Sequence, residues 1–600
     1  MLTSTVLAST LTLLATVAPA ASKAASNAAS NAETISVAQA PGASPNFILP
    51  FADCLHAGAN NIQDFQQLMY RPLYWFGLGS SKAARYQLSI GEKPVVSNHG
   101  KTFTIRLKHW HFANSQLISA TSVKFYLNLY RADPTGNCSY TPGYGIPDQL
   151  QSVSASGNKL TLTFTSAENV NYVLYNYLSQ ITPLPSLWSR DANGPVRSCV
   201  EGAYGAASTI SACQGVETYL DALATRTSSF TNTFWEAGVD GPWRLTDLSA
   251  QGTATFAANA RYEGPQRPKV RTLREVAYTS SAAEMSDLQA RKLDVGYVDP
   301  TLLPPGGATT KSASANNATL AANYSLVSGP PWATNFMVVN LSPTNTGFAL
   351  LSQLYIRQAL QLGINQPALI KSALNGRGIV TDSPLPATTP SFMAAPIKNP
   401  YPYSATAAKA LLTSHGWVFA NGEMSCQQPG TLANECGAGV SLGAPLALHL
   451  VWASGSPSLD AMMNAEVASW NAIGFTVTTS EDTTNNVTSD CRSATSIDLC
   501  DWGTGWSYTP AYYPSGESLF LPNGQANFGL VSDATLSQLI HDSIYTKTNL
   551  TKYATYAAQQ LPILFQPTSP VLLEVAKSLK SSIGFSPSPF GAFNPEYWSH

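Results

Sequence analysis

The sequence predicts a mixed α/β protein built from more than one lobe, and three observations carry that expectation. A chain of 600 residues exceeds what one hydrophobic core ordinarily supports. Short stretches with strand-type alternation recur along it, such as Phe103, Ile105 and Leu107, or KLTLTF at 159 to 164. Between them lie runs with apolar residues at helical spacing, such as Ile62, Phe65, Leu68, Met69 and Leu73. Hydrophobic residues make up 44% of the chain and aromatics 10%, which supplies globular cores and excludes a wholly disordered chain.

Charged residues are scarce, 11% against roughly 25% in typical soluble domains. A surface with so few ion pairs loses little when carboxylates protonate, so an acidic extracellular habitat is expected. The net charge of -2 gives no basic face and speaks against a nucleic-acid partner. The apolar run from Thr5 ends on Ala18-Pro19-Ala20, which fits an A-x-A cleavage site although the positive n-region is missing. Small, low-complexity residues follow, so 1 to 33 read as a signal peptide and flexible leader. No later stretch approaches the ~18 apolar residues of a membrane helix. The expected location is extracellular, cell-surface or periplasmic, and no cysteine stands where a lipid anchor would need one.

Eight cysteines, an even number, agree with an oxidising compartment. Six fall into local pairs in Gly, Ser or Asn-rich loops: Cys199 with Cys213, Cys426 with Cys436, and Cys491 with Cys500. Cys54 and Cys138 are left to each other. Zinc is the alternative, but no C-x-x-C or adjacent His spacing supports it.

Along the chain, Thr34 to Val37 read as a strand, and NIQDFQQLMYRPLYWFG at 61 to 77 as a helix ending in aromatics that include Tyr70. KTFTIRLKHWHFANSQLISATSVKFYLNLY at 101 to 130 gives a strand, then a helix capped by Ser119 or Thr121. Within it, His109 and His111 form an H-x-H, a metal-type pair with no third ligand nearby, or equally an exposed strand edge. WEAGVDGPWRLTDL at 235 to 248 places Gly238 and Gly241 where the backbone turns tightly beside a strand. SDLQARKLDVGYV carries Leu288 and Asp294, and a Pro, Gly, Ala and Asn-rich boundary follows at 304 to 331. NFMVVNLS at 335 to 342, with Asn340, is a strand leading into RQALQLGINQPALIKSALNG at 357 to 376. There Arg357, Ala359 and Leu360 open an amphipathic helix, and a turn at Asn365 leads to a second helix closing on Asn375 and Gly376. YSATAAKALLTSHGW at 403 to 417, the strand PLALHLVW at 445 to 452 and the helix MMNAEVASWNAIGFTV complete the pattern.

Taken in order, these blocks resemble the family 5 extracellular solute-binding proteins, the peptide-binding subunits of ABC importers. The 357 to 376 run resembles the family's Val-Arg-Gln-Ala-Leu helix pair, 235 to 248 its "GTGPYkl" turn, and 101 to 130 its "tftLrpgvkFsdGtpvtaeDVkfsl" block. The resemblance spans about 34 to 600. It implies a large two-lobed periplasmic-binding-protein-like fold with a hinge and an inserted subdomain. The first lobe would hold 34-75, 184-325 and 561-600, the insertion 76-183, and the second lobe 326-560. It further implies a monomer that captures a peptide or small-molecule solute between its lobes, delivers it to membrane permease subunits, and needs no cofactor. An oligosaccharide or nickel chelate is the alternative solute within the family, and a secreted hydrolase the alternative outside it.

No G-x-S-x-G, H-E-x-x-H or G-x-x-x-x-G-K is present, which favours a binder over an enzyme. The best site candidate is DWGTGWSYTPAYYPSGE at 501 to 517, where Trp502, Trp506, Tyr508, Tyr512 and Tyr513 stand among glycines and prolines. Flat amphipathic rings suit a cleft that takes variable ligands, whereas the plainer alternative is a structural aromatic cluster. This stretch resembles the family's "gWgaDYpDP", whose Asp is implied to pair with a peptide α-ammonium. Ala511 stands near that position, with Asp498 and Asp501 before it and Glu517 after it. Tyr70 and Asn340 join Trp506, Tyr508 and Tyr512 as ligand-contact candidates, placed by the family's cleft-facing positions.

Overall fold

The computed structural model describes residues 33–51, 53, 56, 58–79, 81–306, 318–329, 331–387, 397–508, 512–545, 550–585 and 592–600. The expected export segment therefore lies outside the described residues apart from Glu33, as do Cys54 and Ala511.

Three sheets organise the described chain. The largest runs in spatial order Trp243–Leu248, Ala254–Ala258, Thr272–Val276, Thr34–Ala38, Val295–Tyr297, Val571–Ala576, Tyr324–Gly329. The first strand of the chain lies near its centre, parallel to Thr272–Val276, and its Ile35 and Val37 are buried. A second sheet is ordered Thr476–Asp482, Ala447–Ala453, Leu499–Asp501, Phe336–Val339, Ile563–Phe565. Its parallel pair Ala447–Ala453 and Thr476–Asp482 is joined by the helix Pro457–Ile473, the crossover that parallel neighbours require. The third is an antiparallel sheet of Val95–Ser97, Thr102–Arg106, Lys159–Phe164 and Leu150–Ser156, packed under the helix Ala120–Ala132. Leu160, Leu162 and Phe164 turn inward from it while the residues between them face outward, as strand alternation demands.

The chain crosses between the first two sheets twice, between Gly329 and Phe336 and again between Phe565 and Val571. The crossings are tied to each other: the Asn335 backbone N–H donates to Thr568 Oγ1 at 2.9 Å, and its side-chain amide donates to the Pro567 carbonyl at 3.2 Å. The helix pair predicted after Arg357 appears as Leu354–Leu362 and Gln366–Ser372, with the Asn365 side chain accepting from the Ala368 N–H as cap. Asn375 and Gly376 end it with positive φ angles of 47° and 79°.

The helix expected over 61 to 77 is shorter and wound differently. It runs as Ala59–Asn61, a π turn over Ile62–Gln66, and Gln67–Met69, because Tyr70 turns extended and Arg71 is claimed by Asp240 through its backbone N–H at 2.8 Å. All three local cysteine pairs are bonded: Cys199–Cys213, Cys426–Cys436 and Cys491–Cys500. Their setting differs from the loops expected. Cys199, Cys213 and Cys491 lie in helices, Cys426 and Cys500 in strands, and all six are buried, so the bonds staple packed elements to one another. Cys138 is also disulfide-bonded, and its expected partner Cys54 is outside the described residues. Among the described residues no helix is long and apolar enough to cross a membrane.

Candidate functional site

Two stretches of unusual helix line the candidate recesses. The π turn Ile62–Gln66 in one and the π turn Val173–Tyr177 in the other each add a residue to a turn, a winding that recurs at functional sites. The extra residue rotates the following side chains, so Gln66, Gln67 and Tyr70 line one recess while Asn176, Tyr177 and Gln180 line another. Gln180 lines both recesses.

The far wall of the Asn176 recess is built from Trp506, Tyr508, Tyr513 and Gly516 to Leu519. Trp506 and Ser507 form a short strand against Ala333 and Thr334, beside the first crossing. Gly505 is required there, since with φ +56° a Cβ would stand 2.1 Å from the Thr334 carbonyl oxygen. Trp506, Tyr508, Tyr513, Glu517 and Leu519 then line the recess. Trp506 is half-buried, whereas Tyr508 and Tyr513 are almost wholly enclosed.

Glu517 is a buried carboxyl in this recess. Its Oε1 accepts from the Tyr172 hydroxyl at 3.1 Å and from the Asn176 amide at 3.0 Å, and its Oε2 accepts from the Ser515 hydroxyl. Burial raises the proton affinity of its carboxyl, and the three donors only partly oppose that. Asp501, at the mouth of the same loop, is pushed up to about 6 by burial although the Gly503 N–H donates to it at 2.6 Å. Among the described residues Glu517 is the one acidic or basic side chain that lines either recess.

The structure brings together some of the residues singled out in the sequence and separates others. Trp506 and Tyr508 line the first recess and Tyr70 the second. The Tyr70 hydroxyl donates to the Trp235 carbonyl at 3.2 Å, and its ring meets Trp188 edge-on. Tyr512 packs on Phe76 with ring centres 5.1 Å apart, its backbone N–H reaches the Tyr175 carbonyl, and its hydroxyl meets the Gln67 side chain. Asn340 lies away from both recesses, donating to the Ala494 and Ile497 carbonyls at 3.1 and 2.9 Å. The Ala511 position lies outside the described residues. The His109 and His111 rings are 4.9 Å apart, and His111 is engaged by Glu263, whose Oε2 accepts its backbone N–H at 2.7 Å. Among the described residues no three His, Cys, Asp or Glu side chains converge as metal ligands.

The model of the bacterial extracellular solute-binding proteins, family 5, matches residues 86–525. The chain belongs to this family. Among curated proteins, none matches it in sequence. Its fold is similar to that of the oligopeptide-binding protein AppA from Bacillus subtilis, solved with a nonapeptide, at a TM-score of 0.69 and 17% identity, over 94% of this chain and 98% of that one. It is similar also to NikZ from Campylobacter jejuni, solved with Ni(L-His), at 0.67 and 17% identity over 94% and 99% of the two chains. The oligopeptide-binding protein of Thermus thermophilus, solved with a pentapeptide, aligns at 0.68 and 14% identity over 94% and 95%. The family is one of binding proteins, and its two-lobed fold is the one seen here.

Gln66, Gln67, Asn176 and Gln180 were not among the residues singled out in the sequence. The signal lies in two amide-rich stretches beside aromatics, NIQDFQQLMY and VNYVLYNYLSQ, whose apolar spacing alone reads as ordinary helix.

Proposed function

We propose that this chain is the solute-capturing subunit of an ABC importer, a binder and not an enzyme, exported to act outside the membrane as a monomer. The expected division, 34-75, 184-325 and 561-600 with the insertion 76-183 on one side and 326-560 on the other, departs from the crossings by a few residues, since Tyr324–Gly329 belongs whole to the first sheet and Ile563–Phe565 to the second. The observation that carries the reading is the Asn176 recess, walled on one side by Asn176, Tyr177 and Gln180 and on the other by Trp506, Tyr508, Tyr513 and Glu517; the second recess, which shares Gln180 with it, lies wholly on the first side. A solute seated there touches both sides of the two crossings, so binding favours the closed arrangement by differential affinity alone, and the closed form is what a permease would receive. Trp506, Tyr508 and Tyr70 are the proposed contact residues, with Tyr512 fastening the two walls together and Asn340 supporting the strand behind them.

The test is a mixed panel of peptides, saccharides and metal chelates against the purified protein. A true solute raises the melting temperature, by about 2.7 kcal/mol of stability at a hundredfold excess over Kd, and reduces the radius of gyration at the same time. Stabilisation without compaction would argue against closure, and turnover of chromogenic esters or peptides would point to a hydrolase.

A further inference from the structure

We infer that Asp299 is a positioning residue for capture, a latch that holds the two sides of the crossings together when the lobes close. The inference rests on the reading of closure about the crossings and deepens it. Asp299 follows the strand Val295–Tyr297 of the largest sheet and opens the turn Pro300–Leu302. Its other partners belong to the second side. Its Oδ2 accepts from the Ser458 hydroxyl at 2.9 Å, and from the Ser458 N–H and the Ser456 hydroxyl at 3.4 Å each. Those serines start the helix Pro457–Ile473, which joins two parallel strands of the second sheet.

The helix does not need Asp299 in order to begin. It carries its own cap, since the Ser456 side chain accepts from the Leu459 N–H. What the carboxylate adds is negative charge at the positive end of a 17-residue helix, an attraction that falls off within the first turn and so exists only while the two sides are close. Its other oxygen is held in place: Oδ1 accepts from the Thr301 N–H at 2.9 Å and from the Thr301 hydroxyl at 2.6 Å, which fixes the carboxylate against the helix. The same turn is tied to the second side at further points. The Asn375 amide donates to the Pro300 and Leu303 carbonyls at 3.0 Å each, and Arg377 Nη2 donates to the Pro304 carbonyl at 3.0 Å. Neither Asp299 nor any of these partners lines a recess, so the latch acts on closure without touching the solute. Its contribution to affinity is therefore shared by every solute that closes the lobes.

The Ser458 N–H is among the first four amides of its helix, which have no carbonyl partner inside it, so its exchange with solvent reports the latch. The experiment follows that exchange by mass spectrometry, together with the radius of gyration. The full exported chain is measured as purified, after stripping by unfolding and refolding, and after its released small-molecule fraction is returned. In the wild type the Ser458 amide is expected to exchange at least about fivefold more slowly in the compact states than in the stripped one. Asp299→Ala should raise, by about fivefold or more, the amount of returned fraction needed for half-maximal compaction, with the urea midpoint unchanged. Asp299→Asn, which keeps an acceptor and loses the charge, should recover part of that shift. Should Asp299→Ala lower the midpoint, Ser458→Ala takes its place, removing the 2.9 Å donor from the other side with the same expected shift. Half-maximal compaction unchanged in these variants overturns the inference. A Ser458 amide that exchanges equally fast in stripped and reloaded wild type overturns it too, because the contact would then survive opening. A wild-type radius that is the same in all three states is instead the failure of the closure reading, and the latch falls with it.

Discussion

Lowering the pH from 7 to 5 should stabilise this protein, and the magnitude follows from carboxyl groups whose desolvation outweighs the charges and donors near them. Burial lifts Asp240 to about 8, Glu284 to about 8 and Asp64 to about 7. Asp240 Oδ2 and Glu284 Oε2 have no protein donor to stabilise a negative charge, so nothing at those atoms opposes proton uptake. Among the described residues Arg71–Glu596, at 2.7 Å, is the ion pair with both side chains buried. For each raised group the folded chain binds a proton at a pH where the unfolded chain has released it. Stability therefore grows as pH falls through the folded value, and the gain is complete once the ordinary carboxyl range near 4 is reached. Each group adds at most about 1.4 kcal/mol per pH unit inside that window, so the three together add up to about 4 kcal/mol between pH 6 and 5. Urea midpoints and melting temperatures measured from pH 8 to pH 4 should rise steadily, and Glu284→Gln should raise stability at pH 7 while flattening the curve. A midpoint that is constant or falls between pH 7 and 5 would refute the reasoning, because the buried carboxyls would then be ionised and compensated in the fold.

Three further outcomes are expected. Trp506→Ala should weaken solute binding by roughly 1 to 3 kcal/mol in calorimetry with little change in the urea midpoint, since its ring lines the recess and is only half-buried; a collapsed midpoint with normal binding by the folded fraction would make it structural. Gly505→Ala should cost about 1 to 3 kcal/mol of stability from the left-handed backbone alone and further stability from the clash with Thr334, visible as a lowered melting temperature and weakened binding together. Peptide mapping without reduction should recover Cys199–Cys213, Cys426–Cys436 and Cys491–Cys500, and reducing any one should cost about 2 to 3 kcal/mol in the chain-entropy model, read from chemical unfolding.

How much of this was legible in the sequence depended on whether the signal was local. The helix pair at Leu354–Leu362 and Gln366–Ser372 was readable because Asn365 is a cap and Asn375-Gly376 a stop, both written in adjacent residues. The three disulfides were readable from short spacings, although the helices and strands that carry them were not, because half-cystines leave little trace of the surrounding packing. The site was readable only in part. Trp506 and Tyr508 stand out by residue type, but the enclosure of Tyr512 and Tyr513 depends on Tyr175 and Asn176, more than 300 residues away in sequence. The π turns at Ile62–Gln66 and Val173–Tyr177 were hidden because one inserted residue leaves apolar spacing nearly helical while redirecting the amides behind it. Asn340 was singled out through the family's cleft-facing positions, and its carbonyl partners come from 494 and 497, a contact no sequence spacing announces.

The central claim is capture of a solute by closure about the two crossings, and small-angle scattering tests it most directly. The exported protein would be measured as purified, again after unfolding, dialysis and refolding to strip any bound solute, and a third time after the released small-molecule fraction is returned. The account predicts a larger radius of gyration for the stripped protein and a return to the compact value when that fraction is added back. A radius identical in all three states, with the released fraction shown by mass spectrometry to rebind, would contradict it.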